Sequence, residues 1–201
     1  MENNKFTKKI SIDIVLLPSE NVRDLAIRLN NEMYDKYGDY VRMATFGYQP
    51  HISLCMASVS EENFSAIKDN LKHIAEKTKT IQLEIFDNLL KGSAWLEVKQ
   101  TNEIQMLHGE VCRLFEGVER FPTTPNMLSE VDAADIVSSQ WVDDFMKKHV
   151  RNDFRPHLSY GLHDPMSKLE LPTSFTSNTI AIFQLGPYCS CKKELARFKL
   201  I

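Results

Sequence analysis

Two short stretches decide how this chain is read: Pro50-His51-Ile52-Ser53-Leu54 and Pro156-His157-Leu158-Ser159-Tyr160. Both run Pro, His, aliphatic, Ser, apolar, and their histidines stand 106 positions apart. With eight prolines and six histidines among 201 residues, composition alone predicts about a quarter of one Pro-His pair. Two occur, and both continue identically in character. On a strand, residues i and i+2 project from one face. His51 and Ser53 therefore stand together while Ile52 and Leu54 pack behind them, and His157 and Ser159 do the same against Leu158 and Tyr160.

The surroundings of the two motifs repeat as well. The first leads through a helix to Ile81-Gln82-Leu83-Glu84-Ile85-Phe86 and a hairpin partner, the second to Ile180-Ala181-Ile182-Phe183 and a last strand. An internal duplication follows, giving two lobes related by a pseudo-twofold. If the lobes face each other, two imidazoles and two hydroxyls converge on one cleft.

Further out, apolar periodicity and turn residues predict the remaining elements. Ile10 to Leu17 reads as a buried strand closed by Pro18, and a helix from Ser19 to about Tyr37 ends at Gly38. A short strand is expected from Tyr40 to Phe46. A second helix runs from Ser60 to about Lys77, with Ser60 and Asn63 in an N-cap relation. Two strands, 80–90 and 93–99, are expected to join through Lys91-Gly92, followed by a helix from Asn102 to about Phe115. Residues 116–129, rich in Pro and Thr, read as a long surface loop of the lid type. A fourth helix spans about 131–150. Strands are expected at 156–162, 179–185 and 188–200, with a poorly patterned connection between the first two. Paired strands with interspersed helices mark an α+β chain rather than a doubly wound one.

Composition sets limits. A net charge of -3 and pI near 6.1 argue against a long nucleic-acid-tracking surface, which needs a basic excess. A nucleotide, short oligomer or strand end suits the chain better. No stretch has the 18 or so apolar residues of a membrane span. Basic residues precede the run from Ile10 to Leu17, but Asp13 interrupts it and no cleavage site follows. Cys55, Cys112, Cys189 and Cys191 form neither a zinc signature nor a disulfide framework. Reduced thiols in a cytoplasmic protein are the expectation.

The chemistry of the paired motif suits phosphodiesters. Imidazole titrates near neutrality, so one histidine can take a proton from the attacking oxygen while its twin gives one to the leaving oxygen. Hydroxyls donating to non-bridging oxygens stabilise the charge that builds there.

Paired His-x-Ser motifs at this separation, each followed by an apolar residue, resemble those of the 2H phosphoesterase superfamily. That superfamily includes the 2′-5′ RNA ligase-like proteins and the cyclic phosphodiesterases. The likeness in length and element order spans essentially the whole chain, although only the two motifs are specific. It implies one bilobal α+β domain over residues 1–201, with two antiparallel sheets flanking a central cleft and helices outside. It also implies metal-independent hydrolysis or transfer at 2′,3′-cyclic or 2′-5′ phosphodiesters of nucleotides or short RNA by a monomer without cofactor. His51 and His157 would be acid and base, and Ser53 and Ser159 would hold the phosphate. The segment Leu185-Gly186-Pro187-Tyr188 resembles, more loosely, the family's last hairpin, where an aromatic lies near the cleft.

Other residues carry weaker signals. Tyr48, Tyr188 and Arg155 are the favoured substrate contacts, ahead of Phe46, Phe154 and Arg42; stacking a base on an aromatic is worth about 1–3 kcal/mol. Cys55 should share the face of His51 and Ser53, where a small buried thiol is the plainer reading than a nucleophile. His73, His108 and His149 fall on helices and should face solvent. Three alternatives stand beside the hydrolase: a 2′-5′ RNA ligase, a binder that captures cyclic or 2′-5′ nucleotides without turnover, and a metallohydrolase built on His157, His163 and Asp164.

Overall fold

The first strand, β1 (Lys9–Leu17), is buried on both faces from Ile10 to its end, which makes it an interior strand. The computed structural model describes residues 8–38, 41–90, 94–130, 135–163, 169–171 and 173–201. Seven more strands follow among them: β2 (Ile52–Ser60), β3 (Ile81–Leu90), β4 (Ala94–Val98), β5 (His157–Gly161), β6 (Thr173–Ser177), β7 (Thr179–Leu185) and β8 (Cys191–Lys199). The helices are α1 (Glu20–Tyr37), α2 (Glu61–Ala75), α3 (Asn102–Arg113) and α4 (Asp135–Lys148).

The strands form two antiparallel four-stranded sheets in the orders β2-β1-β7-β8 and β5-β4-β3-β6. Each motif strand is therefore the edge of its own sheet. Its inner neighbour is the strand that precedes it across one or more helices: β1 beside β2, β4 beside β5. The apolar runs matched by sequence, in β3 and β7, occupy the same third place. Their hairpin partners do not correspond, however. β4 lies inside its sheet as the counterpart of β1, whereas β8 is an edge strand like β6. The bilobal α+β arrangement with pseudo-twofold symmetry thus stands, with the strand pairing revised.

Local chemistry explains the helix ends. Gly38 caps α1 with φ 70°, a left-handed backbone that glycine adopts without strain, and its N–H donates to the Tyr34 carbonyl. Ser60 Oγ accepts from the Asn63 N–H at the start of α2, and Thr101 Oγ1 from Ile104 at the start of α3. The helices pack outside, α1 against β5, and α3 and α4 against β2.

Three expectations are corrected. Residues 41–46 make no strand beyond one bridge between Met43 and Tyr48, and Tyr40 lies outside the described residues. The backbone here is satisfied by a side chain instead of a ladder: Asn30 accepts from the Met43 N–H and donates to the Val41 carbonyl. Residues 116–129 are not a free lid. The Phe121 N–H donates to Ser58, the Ser129 N–H to Leu185, and Met127 and Leu128 are buried. A chain of hydroxyls, Ser11 to Ser58 to Thr123 to the Asp143 carboxylate, ties the middle of this segment to β1, β2 and α4. Finally, the connection after β5 contains β6, a polar edge strand with only Phe175 as its buried apolar anchor. The Lys91-Gly92 turn and the first residues expected in the fourth helix lie outside the described residues.

Candidate active site

The site is built from the ends of the two edge strands. His51 stands immediately before β2 and His157 opens β5, and these strands approach each other across the cleft, with Cα atoms within 8 Å. Each imidazole is fixed in the same way. His51 Nδ1 donates to the Gln49 carbonyl at 2.8 Å, and His157 Nδ1 donates to the Arg155 carbonyl at 2.8 Å. In both cases the acceptor lies two residues upstream, across the proline. A ring whose Nδ1 carries the proton has its lone pair on Nε2. Both motifs therefore present Nε2 for proton transfer.

Burial weakens the basicity of both rings. Desolvation lowers His51 below its ordinary 6.5, opposed by its bond to Gln49. It lowers His157 further, to about 4, with His51 contributing as a nearby like charge. His157 stacks on Trp95, with ring centroids 4.2 Å apart. Trp95 is also the register partner of Ser159 on β4.

The first motif has a different support. Ser53 Oγ donates to Asp13 Oδ2 at 2.6 Å, and the same oxygen lies 3.8 Å from His51 Nε2. Asp13 is fully buried, its other oxygen has no hydrogen-bond partner, and burial raises its pKa well above the carboxylate range despite the bond from Ser53. Cys191 lies beside the same pair, with its thiol and the ligating atoms of Asp13 and His51 all within 4.8 Å of one another.

A β-bulge sets these positions. Ile14 pairs with Cys55, but the next residue, Val15, pairs with Ser53, so Leu54 is the extra residue. Cys55 is thereby turned away from His51 and Ser53, correcting the expectation that it shares their face. It lies 3.1 Å from Met146 and bonds Cys112, which holds the Cys112 thiol down at about 6, against its own burial and with help from His108. His108 is likewise not solvent-facing: it is 1% exposed. Its Nδ1 donates to the carbonyl of Leu54, the bulged residue, its Nε2 accepts from the Arg151 N–H, and its ring stacks on Phe154 at 3.9 Å. One buried imidazole thus joins the bulge of the first motif strand to the turn ahead of the second.

The remaining candidates are distributed unevenly. Arg155 serves His157 through its carbonyl. Tyr48 donates to Glu130, lies under Lys192, and is followed by Gln49, whose N–H donates to Cys191. Tyr188 sits in the turn between β7 and β8 with φ 56°. Phe46, at 92% exposure, is the most exposed large apolar side chain among the described residues and lies on the loop ahead of the first motif. His163 lies against Tyr37, and Asp164 is outside the described residues.

Asp13 and Trp95 were not among the residues singled out by sequence. The signal for Asp13 was present: a carboxylate inside the apolar run Ile12-Asp13-Ile14 costs several kcal/mol to bury, which calls for a reason. Trp95 gave none, since its meaning depends on β4 pairing with β5.

A family model described as the 2′-5′ RNA ligase superfamily matches residues 47–170, more than half of the chain and both motifs. Among solved structures, E. coli LigT complexed with NADP+ is 13% identical, with a TM-score of 0.53 over 96% of this chain and 99% of that one. LigT complexed with 3′-AMP gives 13% identity and a TM-score of 0.54 over the same shares. The protein TT0787 of Thermus thermophilus gives 12% and 0.60 over 95% of this chain and 98% of its own. No curated protein sequence matches the chain.

Proposed function

The chain belongs to the 2′-5′ RNA ligase superfamily, and from that premise we propose that it is a metal-independent phosphodiesterase acting on 2′,3′-cyclic phosphates or 2′-5′-linked nucleotides and RNA ends. The observation that carries this reading is the matched pair of imidazoles, each locked by a carbonyl two residues upstream so that Nε2 is the reactive nitrogen. That E. coli LigT was crystallised with 3′-AMP and with NADP+ supports a nucleotide ligand.

In this reading His157, the ring whose pKa is lowered further, is the general base. It takes the proton of the attacking water, the water oxygen bonds to phosphorus, and the P–O bond to the leaving ribose oxygen breaks. His51 protonates that oxygen. The nearby Asp13 oxygen supports the His51 imidazolium from which this proton comes. Ser53, whose hydroxyl donates to Asp13 Oδ2, offers its proton to a non-bridging phosphate oxygen when the phosphate is bound. Ser159 holds the phosphate from the other lobe. Ligation needs only a ribose hydroxyl in place of water.

The lowered pKa values set the pH dependence. The base fails as pH falls through about 4, where His157 protonates. The acid fails as pH rises through the His51 value, which lies below 6.5. A kcat/KM profile is expected to be bell-shaped with its maximum on the acid side of 6.5.

The same bell arises with the roles exchanged, so a leaving-group test assigns them. A nitrophenyl phosphodiester needs no acid to expel nitrophenolate. His51→Ala is expected to recover most of its activity on that substrate while His157→Ala stays impaired. Equal impairment of both variants on the activated ester counts against the assignment. Turnover of 2′,3′-cyclic nucleotides in EDTA, followed by phosphorus NMR, tests the reaction itself. Tight binding with unchanged ligand after prolonged incubation would leave the non-catalytic binder in its place.

A further inference from the structure

We infer that Asp13, His51 and Cys191 form a binding site for a thiophilic divalent cation, Zn2+ above all, at the foot of the cleft, and that a metal bound there switches the site off. Their ligating atoms lie within 4.8 Å of one another. A tetrahedral zinc with bonds of about 2.0–2.3 Å needs ligand atoms about 3.4–3.6 Å apart. Asp13 Oδ2 and His51 Nε2 are already at 3.8 Å. Closing the remaining separations, none longer than 4.8 Å, takes shifts of at most about 1.4 Å.

Each group is presented as a ligand should be. His51 donates its other ring N–H to a backbone carbonyl, the support that ligating imidazoles use to fix their orientation. Gln49, which supplies that carbonyl, also donates its N–H to the Cys191 carbonyl at 2.8 Å, so the residue that orients the imidazole is tied to the one that bears the thiol. Asp13 Oδ1 is buried with no hydrogen-bond partner, while Oδ2, the oxygen 3.8 Å from His51 Nε2, already accepts from Ser53. A buried carboxylate oxygen left unmet is costly, and it calls for a cationic or donor partner. The second motif offers the contrast. His157 has the same carbonyl support, but its neighbour is the Trp95 ring rather than a carboxylate and a thiol.

The donor set of one thiolate, one imidazole and one carboxylate suits zinc and disfavours magnesium or calcium. Access is through His51, whose side chain is 11% exposed while Asp13 is closed off. Three protein ligands leave a fourth position for water or a phosphate oxygen. Bound metal takes the Nε2 lone pair that must otherwise carry the proton. Inhibition therefore rests on the proposed two-histidine reaction, but the metal site itself does not.

The test separates the two. Full-length protein, stripped with EDTA and exchanged into clean buffer, is titrated with Co2+ as a spectroscopic probe and with Zn2+ by calorimetry. The expected result is one equivalent bound, with a cobalt–thiolate charge-transfer band in the near ultraviolet and intense tetrahedral d–d bands. Cys191→Ser and Cys191→Ala are expected to lose the thiolate band and bind zinc at least about tenfold more weakly, with basal turnover and far-ultraviolet circular dichroism unchanged. Zinc should inhibit wild type and leave the Cys191 variants unaffected. A thiolate band that persists in both Cys191 variants, pointing to Cys55 or Cys112, overturns the site. So does the absence of stoichiometric binding in wild type. Zinc that raises wild-type turnover overturns the inhibitory role.

Discussion

Replacing His157 with alanine is expected to lower kcat on a 2′,3′-cyclic nucleotide by about 10²–10⁴, which is about 3–5.5 kcal/mol of barrier. His51→Ala should fall in the same range on that substrate, because an alkoxide is a poor leaving group without a proton. The informative measurement is the pair. If each imidazole acted alone, the double variant would lose the product of the two factors. Two groups that serve one transition state act as a unit, so the double variant should lose little more than the worse single one. KM should change little, since neither ring is assigned to binding the nucleotide. The geometry makes this a clean experiment. Both rings are half-buried at strand ends, and each commits Nδ1 to a backbone carbonyl, so truncation leaves no buried carboxylate or amide unpaired at the second motif. At the first motif Asp13 retains its bond from Ser53. Single variants that both keep wild-type kcat would end the two-histidine reading.

The parts of this chain legible in its sequence are those whose meaning is local. The period of two in Pro50-His51-Ile52-Ser53-Leu54 and in its twin places one set of side chains against the core and the other toward the cleft, and Ile52, Leu54, Leu158 and Tyr160 are all buried. Ser60 and Gly38 mark helix ends through chemistry that acts within four residues. What escaped is what depends on a partner far along the chain. The bulge at Leu54 is invisible in a strand pattern, because only the pairing with β1 reveals that the register skips from Ile14–Cys55 to Val15–Ser53. That one residue reverses the face of Cys55. His108 reads as one polar position on an amphipathic helix until its two bonds, 54 and 43 residues distant in sequence, are in place. The loop 41–46 has apolar residues spaced like a strand, yet the amide of Asn30 meets its backbone before any ladder can. β6 has so little apolar patterning that its hydrogen bonds to β3 alone make it a strand. The motifs point to chemistry because two local patterns repeat, while Asp13 and Trp95, which distinguish one motif from the other, belong to neighbouring strands.

Asn30→Leu is expected to destabilise the fold by about 3–5 kcal/mol, a large share of the total for a chain of this size. Asn30 is fully buried on the inner face of α1, in line with Val22, Ala26, Leu29 and Met33. Its amide nitrogen donates to the carbonyls of Val41 and Tyr160 at 2.9 and 3.0 Å, and its amide oxygen accepts from the Met43 N–H at 2.6 Å. Leucine keeps the branched shape and is somewhat larger, so no cavity opens, but it removes the side-chain partner of two buried carbonyls and one N–H. Each such group costs about 1–3 kcal/mol. Alanine should be at least as damaging, because a void is added to the same three losses. Urea denaturation is the measurement: the midpoint should fall with the slope unchanged. The damage should also be directional. The Tyr160 carbonyl lies on β5, three residues beyond His157, and Asn30 is what fastens that strand to α1 and to the loop ahead of the first motif. Amide exchange in β5 and in residues 41–46 should therefore quicken more than exchange in β1, and kcat should fall even under conditions where the variant remains folded. A leucine variant with the wild-type midpoint would mean that water or a shifted backbone meets these groups at no cost, and that Asn30 does not hold the second motif in place.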